Sequence, residues 1–375
     1  MKTAWLLPLE PFESRYTGQW YKSFPKEFTN AGYFVQLIDG VPLADKIDVG
    51  SWLPMNSTVH YKNTQLARIA SAFQEGQVKD GDIFFVYDLE FWGVESIKMM
   101  AQINNIEVDI YAFLHAASYT KEDLMEQLTP WQKYTELGWL SICTKVFVGS
   151  AYHKQAVIER RILPFADKND IDKLSDKIVV TGNPLFKDDY HEFICVEKKN
   201  QIIISNRFDY EKRPNISLDI AQIIKCKHPD WGIIVTTGNE TLSSNQNWLV
   251  TKARLLEAAG VIQIYEHLTK EEYHHHLAES KVMLTNSIEE NFGYCIVEAM
   301  LYNTAPVAPF GLSHTELLKN NYNLLYNDID GAVKRIEALM FRDMSIELCP
   351  IRDLRPWAAK YFNVAKEIVD LTKEQ

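Results

Sequence analysis

Two cations follow the apolar run QIIIS: Arg207 and Lys212, five residues apart in NRFDYEKRP. A forked guanidinium and a compact ammonium converging from one loop at a strand's carboxyl end suit a ligand carrying phosphate. A plain surface turn has the same spacing, so a second half is needed. SIEENFGYCIVEAM, residues 287–300, supplies it. Asn291, Phe292 and Gly293 stand where a helix begins, so free backbone N–H groups and the positive end of the helix dipole can face an anion such as a diphosphate. Gly293 lets the backbone approach closely. Glu298 has Tyr294, Cys295, Leu301 and Tyr302 three or four residues away, which puts it on an apolar helical face. Left unpaired there, its charge would cost on the order of several kcal/mol, and a pair of sugar hydroxyls would supply the donors. Glu290, just before the helix, could do the same for a second ring. The plainer alternative is a capping Glu290 and a Glu298 paired with a lysine.

The elements that must hold these residues are legible as short runs rich in Val, Ile and Phe alternating with amphipathic stretches, the pattern of a parallel sheet with crossover helices. TAWLLPL, YFVQLID, DIFFVYD, VDIYAFLH, KVFVGS and KIVVTG are the strand candidates of the first half. QIIISNR, GIIVTTG, VIQIYEHL, VMLTNS and APVAP are those of the second. Periodicity is lost in NPLFKDDYHEFICVEKKNQ between the sets. The expected organisation is therefore α/β, with a doubly wound domain over 1–185, a linker over 186–200, a second doubly wound domain over 201–355 and a single helix over 356–375. Two such sheets facing one another would line one cleft with their strands' carboxyl ends. The helix GQWYKSFPKEF repeats Trp20, Phe24 and Phe28 every four residues, an aromatic stripe expected to pack on the first sheet rather than seek a membrane.

A chain of 375 residues suits two cores. Its net charge of -11 argues against general avidity for phosphate backbones. Five cysteines without C-x-x-C spacing indicate neither zinc nor a disulfide framework, and a reducing, cytoplasmic setting is the default. MKTAWLLPLEP is interrupted by Pro8 and Glu10 and reads as a first buried strand, and no run approaches the ~20 apolar residues of a transmembrane helix. The triplet His274–His276 cannot converge on one ion, because adjacent helical positions point about 100° apart, so no metal site is expected.

Glu290 through Met300, followed by PVAP, resembles the E-x7-E signature of retaining GT-B glycosyltransferases, especially glycosyltransferase family 4. VFVGSAYHKQAV with KIVVTGNPL, SNRFDYEKRPNISLDIAQII, and VIQIYEHLTKEEYHHHLAESKVMLTNS resemble the family's other motifs in the same order, over roughly residues 145–310. The resemblance implies a GT-B fold of two Rossmann-like domains with a C-terminal crossover helix, and metal-independent transfer from a UDP- or GDP-type nucleoside-diphosphate sugar, with no permanently bound cofactor. Arg207 and Lys212 would neutralise the departing diphosphate, Glu290 would hold hydroxyls of the transferred sugar, and Glu298 would bind the ribose. Amides near Asn291, Phe292 and Gly293 would touch sugar and phosphates, and the loop carrying His267 would lie by the nucleobase.

In the first half the match is looser. His115, ending VDIYAFLH, sits where the family often has a histidine near the reacting sugar, a strand-end position equally served by a structural histidine. Many members carry a Gly-Gly loop after the first strand; EPFESRYTGQW has Gly18 alone, with Arg15 a substitute cation. Asp88, ending DIFFVYD, is the candidate acceptor ligand. The aromatics of DLEFWGVES, FLHAASY and TPWQKY suit stacking on a flat ring. A saccharide, lipid or small-molecule acceptor is favoured. The alternatives are hydroxymethylated pyrimidine in DNA, as for some viral GT-B enzymes, with Lys145, Lys154, Arg160, Arg161 and Lys168 as a phosphate-tracking edge, and a nucleotide-sugar epimerase or hydrolase of related fold.

Overall fold

Parallel strands buried on both faces need apolar residues in unbroken runs, and helices covering them need one apolar stripe. Both patterns take the expected form in the computed structural model, which describes residues 2–12, 15–44, 54–90, 93–121, 124–190, 196–341 and 354–373. Part of the expected linker (191–195), the end of the second expected domain (342–353), Phe91 and Trp92 of the aromatic run, Cys195 and Cys349 lie outside the described residues. The chain divides into two compact units, one of residues 1–186 with 361–375, the other of residues 187–360.

The first unit is a six-stranded parallel sheet of β1 (Thr3–Leu7), β2 (Phe34–Leu37), β3 (Ile83–Val86), β4 (Asp109–Leu114), β5 (Lys145–Val148) and β6 (Ile178–Val180), in the order β2-β1-β3-β4-β5-β6. Side chains alternate faces along each strand. Trp5, Leu7, Phe84, Val86, Ile110 and Val146 share one core with Ile69, Phe73 and Ile97 of the helices. The opposite face carries Phe85, Tyr87 and Phe113, and the aromatic stripe packs there, as the four-residue spacing implies: Trp20, Phe24 and Phe28 are buried, with Trp20 5.0 Å from Phe113 and Phe24 5.1 Å from Phe85, ring centre to ring centre.

Residues 354–373 do not form the single helix expected. Helix Leu354–Ala359 gives way to a 3-10 turn, Lys360–Asn363, before helix Val364–Leu371. The break has a packing cause at Tyr361. Its carbonyl accepts the Leu185 N–H at 3.0 Å, and its ring lies so near Gly182, at φ +85°, that a Cβ there would fall 2.4 Å from the ring. Beyond it, Thr372 joins the first unit's core through the Tyr33 hydroxyl, 3.0 Å away.

The second unit is again six parallel strands: β7 (Lys199–Ile204), β8 (Gly232–Thr236), β9 (Gln263–Tyr265), β10 (Ser280–Leu284), β11 (Ala305–Pro309) and the short β12 (Leu325–Tyr326), in the order β12-β11-β10-β7-β8-β9. Ile202, Ile203, Val282, Met283, Val307 and Ala308 are all buried at its centre. The chain steps outward one way from β7 through β8 to β9, then returns to β10 on β7's other side. The order reverses between β7 and β10, and in open α/β sheets the loops leaving the carboxyl ends at such a reversal form the ligand crevice. Arg207 and Lys212 leave β7 there, and Glu290 leaves β10. In the first sheet the reversal lies between β1 and β3, where Glu10 and Asp88 stand.

Candidate functional site

The loop after β7 tightens into a 3-10 turn, Tyr210–Lys212, closed by Arg213 in the left-handed region before helix Pro214–Lys227. The loop after β10 is bound to it through the Ile288 N–H, which donates to the Glu211 carbonyl at 2.8 Å. This stitching brings two of the expected site residues together: Lys212 Nζ lies 2.9 Å from Glu290 Oε2, with only 15 and 17% of their side chains exposed. Glu290 is thus not a helix cap. Among the described residues the Lys212 ammonium, which carries three donors, gives one to Glu290. Arg207 stands close enough to that pair to act on both charges, and it carries carboxylate partners of its own. Its guanidinium reaches Glu211 at 2.6 Å and Asp209 at 3.4 Å, carboxylates that the sequence reading passed over.

Burial pushes the Glu290 carboxyl up, but Lys212, His314 and Arg207 together outweigh it and hold its pKa below the usual carboxylate range. Burial likewise opposes the Lys212 charge, and Glu290 and Glu211 overcome it, so the ammonium is held above its usual value. A carboxylate depressed in the folded state contributes stability that is present above its unfolded pKa and lost as pH falls through the folded one. Glu290→Gln is therefore expected to be less stable near neutrality and to show a flatter acid limb. Urea melts between about pH 7 and 3 read this, and parallel stability curves for the two proteins would contradict it.

Helix Tyr294–Leu301 begins after Gly293, whose φ of +95° and ψ of +64° a side chain would strain; a Cβ there would also stand 3.3 Å from Leu317 Cδ1. Phe292 is buried, and its carbonyl accepts the Ser313 hydroxyl at 2.9 Å, which anchors the turn presenting the helix N-terminus. Glu298 sits on the apolar face expected, and among the described residues its side-chain donors are two phenols rather than a lysine. Tyr273 Oη donates to Oε2 at 2.9 Å and Tyr190 Oη to Oε1 at 3.3 Å. Burial raises the Glu298 pKa, and the two phenols and Lys270 pull it back only in part. No local pattern marks either tyrosine: Tyr190 falls in the expected linker, where periodicity is lost, and Tyr273 adjoins the histidine triplet.

Those histidines occupy helix Lys270–Glu279, opened by a capping box of Thr269 and Glu272. They diverge: His274 is buried, stacked 5.3 Å from Tyr190 at 10°; His275 lies 3.3 Å from Glu279; and His276 packs 4.3 Å from Tyr265. His267 has a positive φ of 54°, with Nε2 2.9 Å from the Thr241 hydroxyl, while the Leu268 N–H donates to Gly238. Loops leaving β8 and β9 are thereby joined beside Glu266, which accepts Arg254 and the Leu242 N–H, each at 2.6 Å.

In the first unit the expected residues are more enclosed than their strand-end positions imply. His115 is walled by Tyr16, Trp20 and Phe113, with Nε2 2.9 Å from the Tyr87 carbonyl, and burial depresses its pKa. Asp88 is only 2% exposed; its Oδ1 accepts the Glu90 N–H at 3.3 Å and its Oδ2 lies 3.9 Å from Lys62 Nζ. Glu10 joins this polar group by accepting Ser57 and Thr58 hydroxyls at 2.7 and 2.5 Å. Gly18 was expected in a loop and lies instead in the first turn of helix Tyr16–Asn30, because the helix begins at once after Arg15; its N–H faces the Arg15 carbonyl at 3.3 Å.

Residues 187–343 match the sequence family described as Glycosyl transferases group 1. The match falls within the second unit. Every expected site residue from Arg207 to Glu298 lies inside the matched span. No curated protein matches the chain significantly. Among solved structures, the chain is similar to a sucrose-phosphate synthase from Thermosynechococcus elongatus, with 14% identity over 99% of this chain and 95% of that one and a TM-score of 0.63. It is also similar to HepE of Anabaena in complex with UDP and glucose, with 13% identity over the whole of both chains and a TM-score of 0.66. The α,α-trehalose 6-phosphate synthase of Burkholderia multivorans gives 10% identity, 99 and 98% coverage and a TM-score of 0.65. The architecture is accordingly GT-B, two parallel six-stranded sheets with flanking helices. Among the described residues no helix is long and apolar enough to cross a membrane.

Proposed function

We propose that the protein is a glycosyltransferase moving a sugar, with retained anomeric configuration, from a nucleoside-diphosphate sugar to a hydroxyl acceptor. The observation that carries this reading is the Lys212–Glu290 pair at the topological reversal within the matched span, an ammonium beside a carboxylate suited to sugar hydroxyls. The relative crystallised with UDP and glucose supports the donor class. In this reading Lys212 and Arg207 stabilise charge on the departing diphosphate, and the amides of Asn291, Phe292 and Gly293 at the helix N-terminus add to them. Glu290 orients the sugar, Glu298 takes the ribose and the His267 loop borders the base.

The acceptor oxygen bonds to the anomeric carbon on the face from which the phosphate oxygen departs, and the acceptor proton passes to that phosphate. The first unit is the acceptor domain, with Asp88 and Arg15 as its candidate acceptor residues, while His115 is a catalytic candidate and Gly18 a donor-binding one. A saccharide, lipid or small molecule is the acceptor class.

The test is a panel of UDP- and GDP-sugars crossed with saccharide, lipid and hydroxymethylated-DNA acceptors, read by mass spectrometry. A glycosylated acceptor whose new linkage keeps the donor's anomeric configuration is expected. Conversion of donor to a new sugar nucleotide without any acceptor would replace transfer by epimerisation. An inverted linkage would overturn retention, and product on DNA alone would overturn the acceptor class.

A further inference from the structure

Glu298 is held in an unusual way for a half-buried carboxylate. Among the described residues its side chain accepts from two phenols and from no cation, one phenol on each oxygen, and the phenols come from separate stretches of chain. Each phenol is itself fixed. The Tyr190 ring lies flat against His274, with Lys270 Nζ 5.9 Å from its centre, and His274 is backed by Tyr302 at 5.0 Å. Tyr273 is on the helix whose start is locked by the Thr269–Glu272 capping box. Glu298 and both tyrosines are only partly buried.

An ionised carboxylate has about four acceptor positions. One phenol on each oxygen fixes the plane of the group and leaves about one position per oxygen, side by side, which matches two adjacent hydroxyls. The neutrality of the donors matters as well. A lysine or arginine partner would neutralise the carboxylate and weaken its pull on a ligand hydroxyl, whereas phenols satisfy geometry and leave the charge in place.

We propose that Tyr190 and Tyr273 are positioning residues that turn Glu298 so that its two remaining acceptor positions meet the vicinal diol of the nucleotide ribose. This rests on the nucleotide-sugar reading above and adds to it the two residues that make Glu298 a diol receptor. Phenylalanine at either position keeps the ring packing and deletes the hydroxyl, so the fold is expected to survive, with unchanged thermal melting as the check. Loss of a phenol also removes part of what opposes the burial-driven rise of the Glu298 pKa, so the defect carries a pH signature.

Calorimetric titration with UDP, GDP and ADP, and with the 2′,3′-dideoxy form of whichever binds, is the test. Tyr273→Phe and Tyr190→Phe are each expected to weaken binding of the ribonucleotide about tenfold, to leave the dideoxy form nearly unchanged, and to show a deficit that shrinks as pH rises. Wild-type binding with both variants unchanged, or equal loss for ribo and dideoxy forms, would overturn this inference alone. Wild-type protein that binds none of the three diphosphates would overturn it together with the donor reading.

Discussion

Lys212→Ala is expected to lower kcat for sugar transfer by about 10²- to 10³-fold, with a smaller effect on donor binding. An ammonium aimed at a leaving diphosphate interacts most strongly when charge has built up there, so its loss falls mainly on the transition state. Here the ammonium is largely buried and oriented by Glu290 at 2.9 Å, and the loop carrying it is tied to the next by the Ile288–Glu211 hydrogen bond. Such preorganisation makes the charge effective, and it makes the loss non-additive, because alanine also strands the Glu290 carboxylate. Lys212→Arg should recover only part of the rate, since a planar fork cannot occupy the point-charge position between Glu290 and the ligand. Steady-state kinetics with an established donor and acceptor decide it. An unchanged kcat for the alanine variant would remove Lys212 from the mechanism.

Trp20→Ala should destabilise the first unit by about 3–5 kcal/mol, the range for deleting a buried aromatic side chain. Trp20 is 1% exposed and sits among Tyr16, Phe24, Tyr87, Phe113 and His115, with ring centres 4.8–6.2 Å away. No backbone shift readily refills a space bordered by that many rigid rings. Because the indole is part of the wall around His115, the same change should let water in and raise the histidine's depressed pKa toward its ordinary value. Denaturant melts and histidine proton resonances followed through pH read the two effects. A loss below about 1 kcal/mol would show that the stripe is not the anchor its burial implies.

Both predictions bear on what could be read before any coordinates. DIFFVYD announces β3 because a parallel strand buried on both faces has to be apolar without interruption, and the stripe from Trp20 to Phe28 announces its own burial by its spacing. β12 could not be seen this way: Leu325–Tyr326 is two residues long, too short for any period to register. The break near Tyr361 was hidden for another reason, since Gly182, some 180 positions earlier, is what accommodates that ring. In the candidate site, the roles proposed for Arg207, Lys212, Glu290 and Glu298 rest on residue type and on the likeness of their motifs, while their partnerships could not be read that way. Lys212 finds Glu290 across 78 positions and Glu298 finds Tyr190 across 108, and distances of that kind are set by sheet order rather than by local pattern. The burial of Asp88 beside Lys62 is of the same kind.

The membership of residues 361–375 in the first unit has a consequence for the order of assembly. Vectorial synthesis delivers residues 1–186 first, yet Tyr33, Tyr111 and Leu185 wait for Thr372 and Tyr361, which are made only after the whole of the second unit. At ~5–20 residues per second the intervening stretch takes roughly 10–35 s to emerge, long enough for residues 187–360 to fold on their own. The first unit spends that interval without the segment that packs on helix Tyr16–Asn30 and buries Val364, Ile368 and Val369, and apolar surface bared in this way favours association with other chains.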